Sequence, residues 1–232
     1  MTDIAEPTEH VASAAAHDQH EEHHTSLGIS NMKLAMWLFL GSECLLFGAL
    51  ISTYLLTKTR FLTELIAGNP RVTSTLPAEL VAEMTEKGSV EPMFDIPFTS
   101  FSSFVLLMSS LAMVLAHSAI VRADYKNTKL WLATTALLGT VFIGGQVYEF
   151  TAFYREGLTY TGNLFGSAFF TLTGFHGIHV TVGILMLLAL LVVAQQGKLH
   201  QDRAETVELV GLYWHFVDVV WVLIFTIVYL IP

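Results

Sequence analysis

Five apolar runs, each long enough to cross a lipid bilayer, follow one another along this 232-residue chain. Crossing about 30 Å of hydrocarbon takes about 20 apolar residues at 1.5 Å each. The runs cover residues 34–56, 98–121, 130–153, 164–194 and 207–231. Glu43 alone interrupts the first, and the second and fourth carry no formal charge. The third has Glu149 near its end, and the fifth has Glu208 near its start and Asp218 near its middle. Backbone N–H and C=O groups in lipid must be satisfied within the segment, so these runs are helices. The expected fold is all-α, a polytopic membrane bundle of five transmembrane helices. The fourth run, 31 residues long, should tilt or project beyond the bilayer.

Composition agrees. Charged residues make up 13% of the chain, against about 25% in soluble domains. A formal net charge of −9 argues against nucleic-acid binding, which needs a basic face. Cys44 is the only cysteine, so an intrachain disulfide and a cysteine metal cluster are both excluded. The N-terminus lacks the basic start and apolar run of a signal peptide, so insertion should rely on the five helices themselves.

Residues 1–30 read as a separate acidic, His-rich tail. They hold six acids, no Lys or Arg, and five histidines: His10, His17, His20, His23 and His24. Such composition is expected to stay disordered. It is a solvated tail, with divalent-ion binding as the alternative that clustered imidazoles allow. Residues 31–232 form the membrane domain, interrupted by a polar loop at 58–97. Within that loop residues 76–86 are expected to form a short surface helix, because Pro77 suits a first turn. Lys33, Arg122, Lys126, Lys129, Lys198 and Arg203 fall on one side of the membrane, in short connections or at a helix start. The positive-inside rule makes that side cytoplasmic, with the N-terminus in and the C-terminus out. No internal repeat is visible, so an inverted-repeat transporter is not suggested.

Ionisable and polar groups inside the spans are costly and mark function or a buried partner. Glu43 reads either as a proton-linked or lipid-contacting carboxyl or as an acid hydrogen-bonded to another helix. His176 and His179 share a helix face, flanked by Gly174, Gly177 and Gly183, which would let a helix or lipid headgroup approach. Glu208, Gly211, His215 and Asp218 form a stripe on the last helix, where His215 beside Asp218 would favour a charged pair. The two stripes are expected to face each other or a shared polar cavity. Gln146 and Glu149 form a third pair. Imidazole suits haem, copper or zinc, but buried polar groups mostly satisfy one another. Tyr148, Tyr154 and Tyr160 read as interfacial aromatics.

Two stretches carry a resemblance. Thr171-Leu-Thr-Gly-Phe-His-Gly-Ile-His-Val-Thr-Val-Gly183 and Tyr213-Trp-His-Phe-Val-Asp-Val-Val-Trp221 closely resemble, in order and on consecutive helices, signatures of cytochrome oxidase subunit III. Trp37-Leu-Phe-Leu-Gly-Ser-Glu43, Leu106-Leu-Met-Ser-Ser110 with Ala116-His117-Ser118, and Gln146-Val-Tyr-Glu149 are similar to further segments of that family. The likeness runs from about Lys33 to Ile231 but omits the tail and most of the 58–97 loop. It implies the five-helix bacterial form, without the first two helices of the seven-helix members, in a bacterial cell membrane.

The resemblance also implies a subunit with no catalytic, haem, copper or metal site of its own. Redox chemistry would lie in subunits I and II of an oxidase that passes electrons from cytochrome c to oxygen and moves protons. This chain would pack on subunit I, beside subunit II and a small subunit IV. It would bind phospholipid, support proton supply and protect the catalytic core. Glu43, Gln146, Glu149, His176, His179, Glu208, His215 and Asp218 would then be buried polar ties or lipid contacts. The alternatives are a subunit of a quinol oxidase or of a nitric oxide reductase assembly, a stand-alone proton-coupled transporter, and a metal carrier using the tail.

Overall fold

The computed structural model describes residues 30–74 and 76–231. The acidic tail, apart from Ser30, therefore lies outside the described residues. Seven α-helices follow in order: α1 Asn31–Ile66, α2 Pro70–Thr73, α3 Ala78–Lys87, α4 Ile96–Val121, α5 Tyr125–Arg155, α6 Leu164–Gln195 and α7 Ala204–Phe225. A π-turn, Thr226–Leu230, continues α7. Five spans, the last running to Leu230, are long and apolar enough to cross a membrane, as the sequence predicts.

Local chemistry sets the starts. Ser30, Asp95, Asp124 and Asn163 each accept a backbone N–H from the first turn of the following long helix, satisfying one of the orphan donors there. Gly166 has to be glycine, since a Cβ would stand 2.5 Å from the carbonyl oxygen of Thr159. The expected surface helix is α3, with Pro77 ahead of it and Gly88, at φ 61°, ending it in the left-handed conformation.

The loop expected from residue 58 begins later. α1 continues to Ile66 because residues 57–66 contain no breaker and form an amphipathic stretch. Phe61 and Leu65 are buried there, and Arg60 pairs with Glu64 one turn on. Lys58, expected in a loop, is a buried helical residue whose ammonium donates to the carbonyl of Ile231 at 2.6 Å. That cation meets the unpaired carbonyls at the end of the last span, where the helix dipole favours positive charge.

The spans pack as a ring in the order α1, α6, α5, α4, α7, and α6 also touches α7 across it. Apolar side chains face outward on every span, as lipid contact demands. The core is aromatic: Phe142, Phe165, Phe169, Trp214 and Trp221 are all but fully buried.

Candidate functional site

Trp214 holds three helices together. Its indole N–H donates to the Ser109 hydroxyl of α4 at 3.0 Å. Its ring lies between two glycines: a Cβ at Gly139 of α5 would fall 2.5 Å from it, and one at Gly183 of α6 would fall 2.7 Å away. Two turns later Trp221 donates to Ser103 at 2.8 Å. The α4–α7 seam is thus a row of small hydroxyls meeting a row of indoles. This row was not legible as such in the sequence; its signal was Ser103 and Ser110, two turns apart on α4, with Ser109 beside Ser110.

The eight polar candidates do not form one network. His176 and His179 point about 60° apart, because three residues turn a helix by 300°. His179 faces α1, where Nε2 lies 3.1 Å from the Glu43 carboxyl. Its Nδ1 meets the Phe175 carbonyl at 2.7 Å, so Nδ1 carries a hydrogen. One proton must then lie between Nε2 and Glu43, and either placement leaves the pair neutral overall. Both side chains are 15% exposed. The Tyr213 hydroxyl donates to the His179 carbonyl, tying α7 to the same point.

His176 faces the core and behaves as an aromatic ring. It stacks on Trp221 at 4.8 Å and meets the edge of Phe142 at 6.0 Å. Neither ring nitrogen has a hydrogen-bond partner within the chain. The two stripes, expected to face each other or a shared polar cavity, make no side-chain hydrogen bond to each other among the described residues, although α6 and α7 pack together.

The expected direct His215–Asp218 pair does not form among the described residues; His215 turns to a serine instead. The Ser110 hydroxyl of α4 lies 2.6 Å from His215 Nδ1, with the Asp218 carboxyl beside it. Asp218 Oδ1 is unpartnered. A serine on the facing helix reaches between residues one turn apart more easily than they reach each other. Glu208 leaves the stripe altogether and pairs with Lys33 of α1 at 2.8 Å. Glu149 accepts from the Thr99 hydroxyl of α4, and Tyr229 of the π-turn lies beside it. Gln146, next along α5, rests its amide oxygen 3.0 Å from the Cβ position of Gly177. Among the eight, the one mutual hydrogen bond in the described residues is therefore Glu43–His179; their other interhelical side-chain ties go to hydroxyls or to Lys33.

No group of three or more His, Cys, Asp or Glu side chains among the described residues is placed to hold a metal ion. Outside the spans, the Asn127 amide groups hold the Asp124 carboxyl below the usual carboxylate range, and burial pushes the Glu156 carboxyl up.

Comparison with known proteins gives a consistent result. The family model described as cytochrome c oxidase subunit III matches residues 10–231, including the 58–97 stretch and part of the tail that the motifs left out. Cytochrome c oxidase subunit 3 of Bacillus sp. (strain PS3) is 38% identical over 209 residues, 90% of each chain. The Bacillus subtilis (strain 168) subunit of the same name is 37% identical over 201 residues, 86% of each chain. A probable quinol oxidase subunit 3 of Staphylococcus saprophyticus is 35% identical over 199 residues, covering 86% of this chain and 88% of its own.

Proposed function

This chain belongs to the cytochrome c oxidase subunit III family, and we propose that it serves a haem-copper terminal oxidase as a non-redox subunit packed on subunit I. The observation that carries this reading is the match across residues 10–231. The polar groups support it, because what they do is join helices. Glu43–His179 ties α1 to α6, Lys33–Glu208 ties α1 to α7, and Ser110, Thr99 and the two indole–serine bonds tie α4 to its neighbours. Buried polar groups in a bundle mostly serve one another in this way.

Electron transfer and oxygen reduction belong, on this reading, to haem and copper in subunits I and II. The chain's own work is to keep a rigid flank on subunit I, to support proton supply from the cytoplasmic side, and to preserve the core during turnover. It lies in a bacterial cell membrane, N-terminus in and C-terminus out. Phospholipid headgroups meet the helix ends: Lys33 and Glu208 on the inner side, and Arg155 among Tyr148, Tyr154 and Tyr160 on the outer. Glu43 and His179 lie too far along their helices for that, and act as ties.

Cytochrome c is the proposed electron donor. A quinol donor is the second reading, favoured by the relatives named probable quinol oxidase subunit 3. A tag on this chain, mild-detergent purification and an oxygen electrode separate them. The expected result is a haem-bearing complex that consumes oxygen with reduced cytochrome c. Consumption with quinol alone would move the donor, and a colourless protein that transports protons by itself would overturn the oxidase reading.

A further inference from the structure

Near mid-membrane, the seam between α5 and α6 carries an open groove of about 320 Å³. Its α6 side is small: Thr173, Gly174, Gly177 and Thr181 lie on consecutive turns. Nothing lies within 4 Å of the Cβ position at Gly174, so the backbone is bare there. Val147 and Ile178 stand as exposed ridges on either side. A second groove, of about 410 Å³, runs on between Phe150, Tyr154, Tyr160 and Phe170, and Val147 and Phe150 line both. From residue 143 to 154, α5 rises about 16 Å, or three helical turns.

Three polar side chains line the groove; the Thr173 and Thr181 hydroxyls donate to their own helix backbone, which leaves Gln146. Gln146 is 6% exposed, and its amide nitrogen has no hydrogen-bond partner within the chain. A half-turn about the last side-chain bond exchanges the amide's oxygen and nitrogen, so either can be presented above Gly177.

We propose that this seam docks a transmembrane helix of a partner oxidase subunit, whose backbone lies over Gly174 and Gly177 and whose hydroxyl or carbonyl oxygen accepts from the Gln146 amide. The proposal rests on the reading of the chain as an oxidase subunit, and names the face it uses. In lipid, helices associate through close approach at small residues and through interhelical hydrogen bonds. An unmatched amide donor in hydrocarbon is costly. A lipid tail could fill the groove but offers no acceptor; a helix offers both fit and acceptor. The outer face of α1 is as apolar and as exposed, yet Ser42, Ser52 and Thr53 there already donate to their own helix backbone. Among the described residues that face leaves no amide donor wanting a partner, only the weak thiol donor of Cys44.

The test uses the whole complex, purified through a tag on this chain, with a photo-crosslinking residue at Ile178 or, for comparison, at Leu45 on α1. The Ile178 probe is expected to label a second oxidase subunit, identified by mass, about tenfold more than the Leu45 probe does. Gly174→Leu fills the groove and should lower the ratio of partner subunit to this chain about tenfold, the loss that a 1.4 kcal/mol weakening brings. Gly144→Leu adds the same bulk at an equally open Cβ position outside the groove and should leave the ratio unchanged. Gln146→Leu should fall between them. Lipid adducts or a second copy of this chain at Ile178, or equal ratios for Gly174→Leu and Gly144→Leu, would overturn the inference alone. A haem-free wild-type preparation would overturn the oxidase reading and this inference with it.

Discussion

α7 and α1 are both apolar crossing helices, and they are held by opposite means. In the most apolar stretch of each span, 44% of residues are buried for the span that contains α7 and 6% for α1. α7 is gripped by fit: Trp214 fills a slot between Gly139 and Gly183 while bonding to Ser109. α1 is gripped by polar ties at three heights, Lys33–Glu208, Glu43–His179 and Lys58–Ile231. Its buried residues begin only at Phe47; before that Met36 and Leu40 are only partly buried against the core, and two of the ties reinforce that contact. Lipid tails are as apolar as leucine, so hydrophobic burial cannot choose between helix faces in a bilayer; fit and hydrogen bonds must. A central helix can use fit from several neighbours at once, whereas a peripheral one needs polar ties to stay in place.

The contrast breaks most sharply at Trp214. Trp214→Ala should cost about 3–5 kcal/mol, the range for a buried large aromatic, measured by equilibrium unfolding in mixed detergent micelles. A loss near that of a lipid-facing residue would mean that α7 is not held by fit. Gly139→Ala should cost about 1–3 kcal/mol by overpacking, because the new Cβ would fall 2.5 Å from an indole that Gly183 and Ser109 also hold. A neutral Gly139→Ala in the same assay would show slack in the slot.

Smaller effects sharpen the α1 side. Glu43→Leu removes one interhelical hydrogen bond, worth about 0.6 kcal/mol on average in membranes. Global unfolding should barely move, while hydrogen exchange quickens in residues 35–45 and not in α7. Uniform quickening would count against a locally tethered α1. Ser110→Ala should cost about 1 kcal/mol, typical of one hydrogen bond, and should match the Ser110→Ala, Asp218→Asn double variant if the hydroxyl is the bridge. Independent, additive losses would point back to a direct His215–Asp218 contact.

The smallest effect is at the turn before α5. Asp124 accepts from the Asn127 backbone and side chain at 3.2 and 2.6 Å, and its folded pKa is depressed. A depressed carboxyl stabilises the fold above its unfolded pKa, and that contribution is lost as pH falls through the folded value. Amide exchange at Asn127, corrected for intrinsic rates, should therefore quicken only below the ordinary carboxylate range. Quickening that begins above that range would contradict the assignment.

The five spans were legible because backbone satisfaction in lipid forces long apolar runs to be helices, a constraint that needs no partner. The ends were less so. Residues 58–66 carry charges and read as loop, yet Phe61 and Leu65 face the bundle and draw the helix on. The polar candidates were found as residues but mispaired. A helical wheel puts His176 beside His179; only the arrangement of neighbours sends one to Glu43 and the other to Trp221. Serines and threonines of α4 were passed over because a hydroxyl in a membrane helix usually bonds to its own backbone, as Ser52 and Thr53 do. Which of them also turn to a neighbour depends on what that neighbour presents.

On the proposed function, this chain supports an oxidase without carrying its redox chemistry. The most direct measurement compares the purified oxidase with and without this chain, by reduced-minus-oxidised visible spectrum and by oxygen consumption followed through many turnovers. An unchanged haem spectrum per subunit I and near-normal initial turnover are expected, followed by faster loss of activity in the depleted enzyme. Loss of haem bands in proportion to the chain removed, or no activity from the first turnover, would contradict that role.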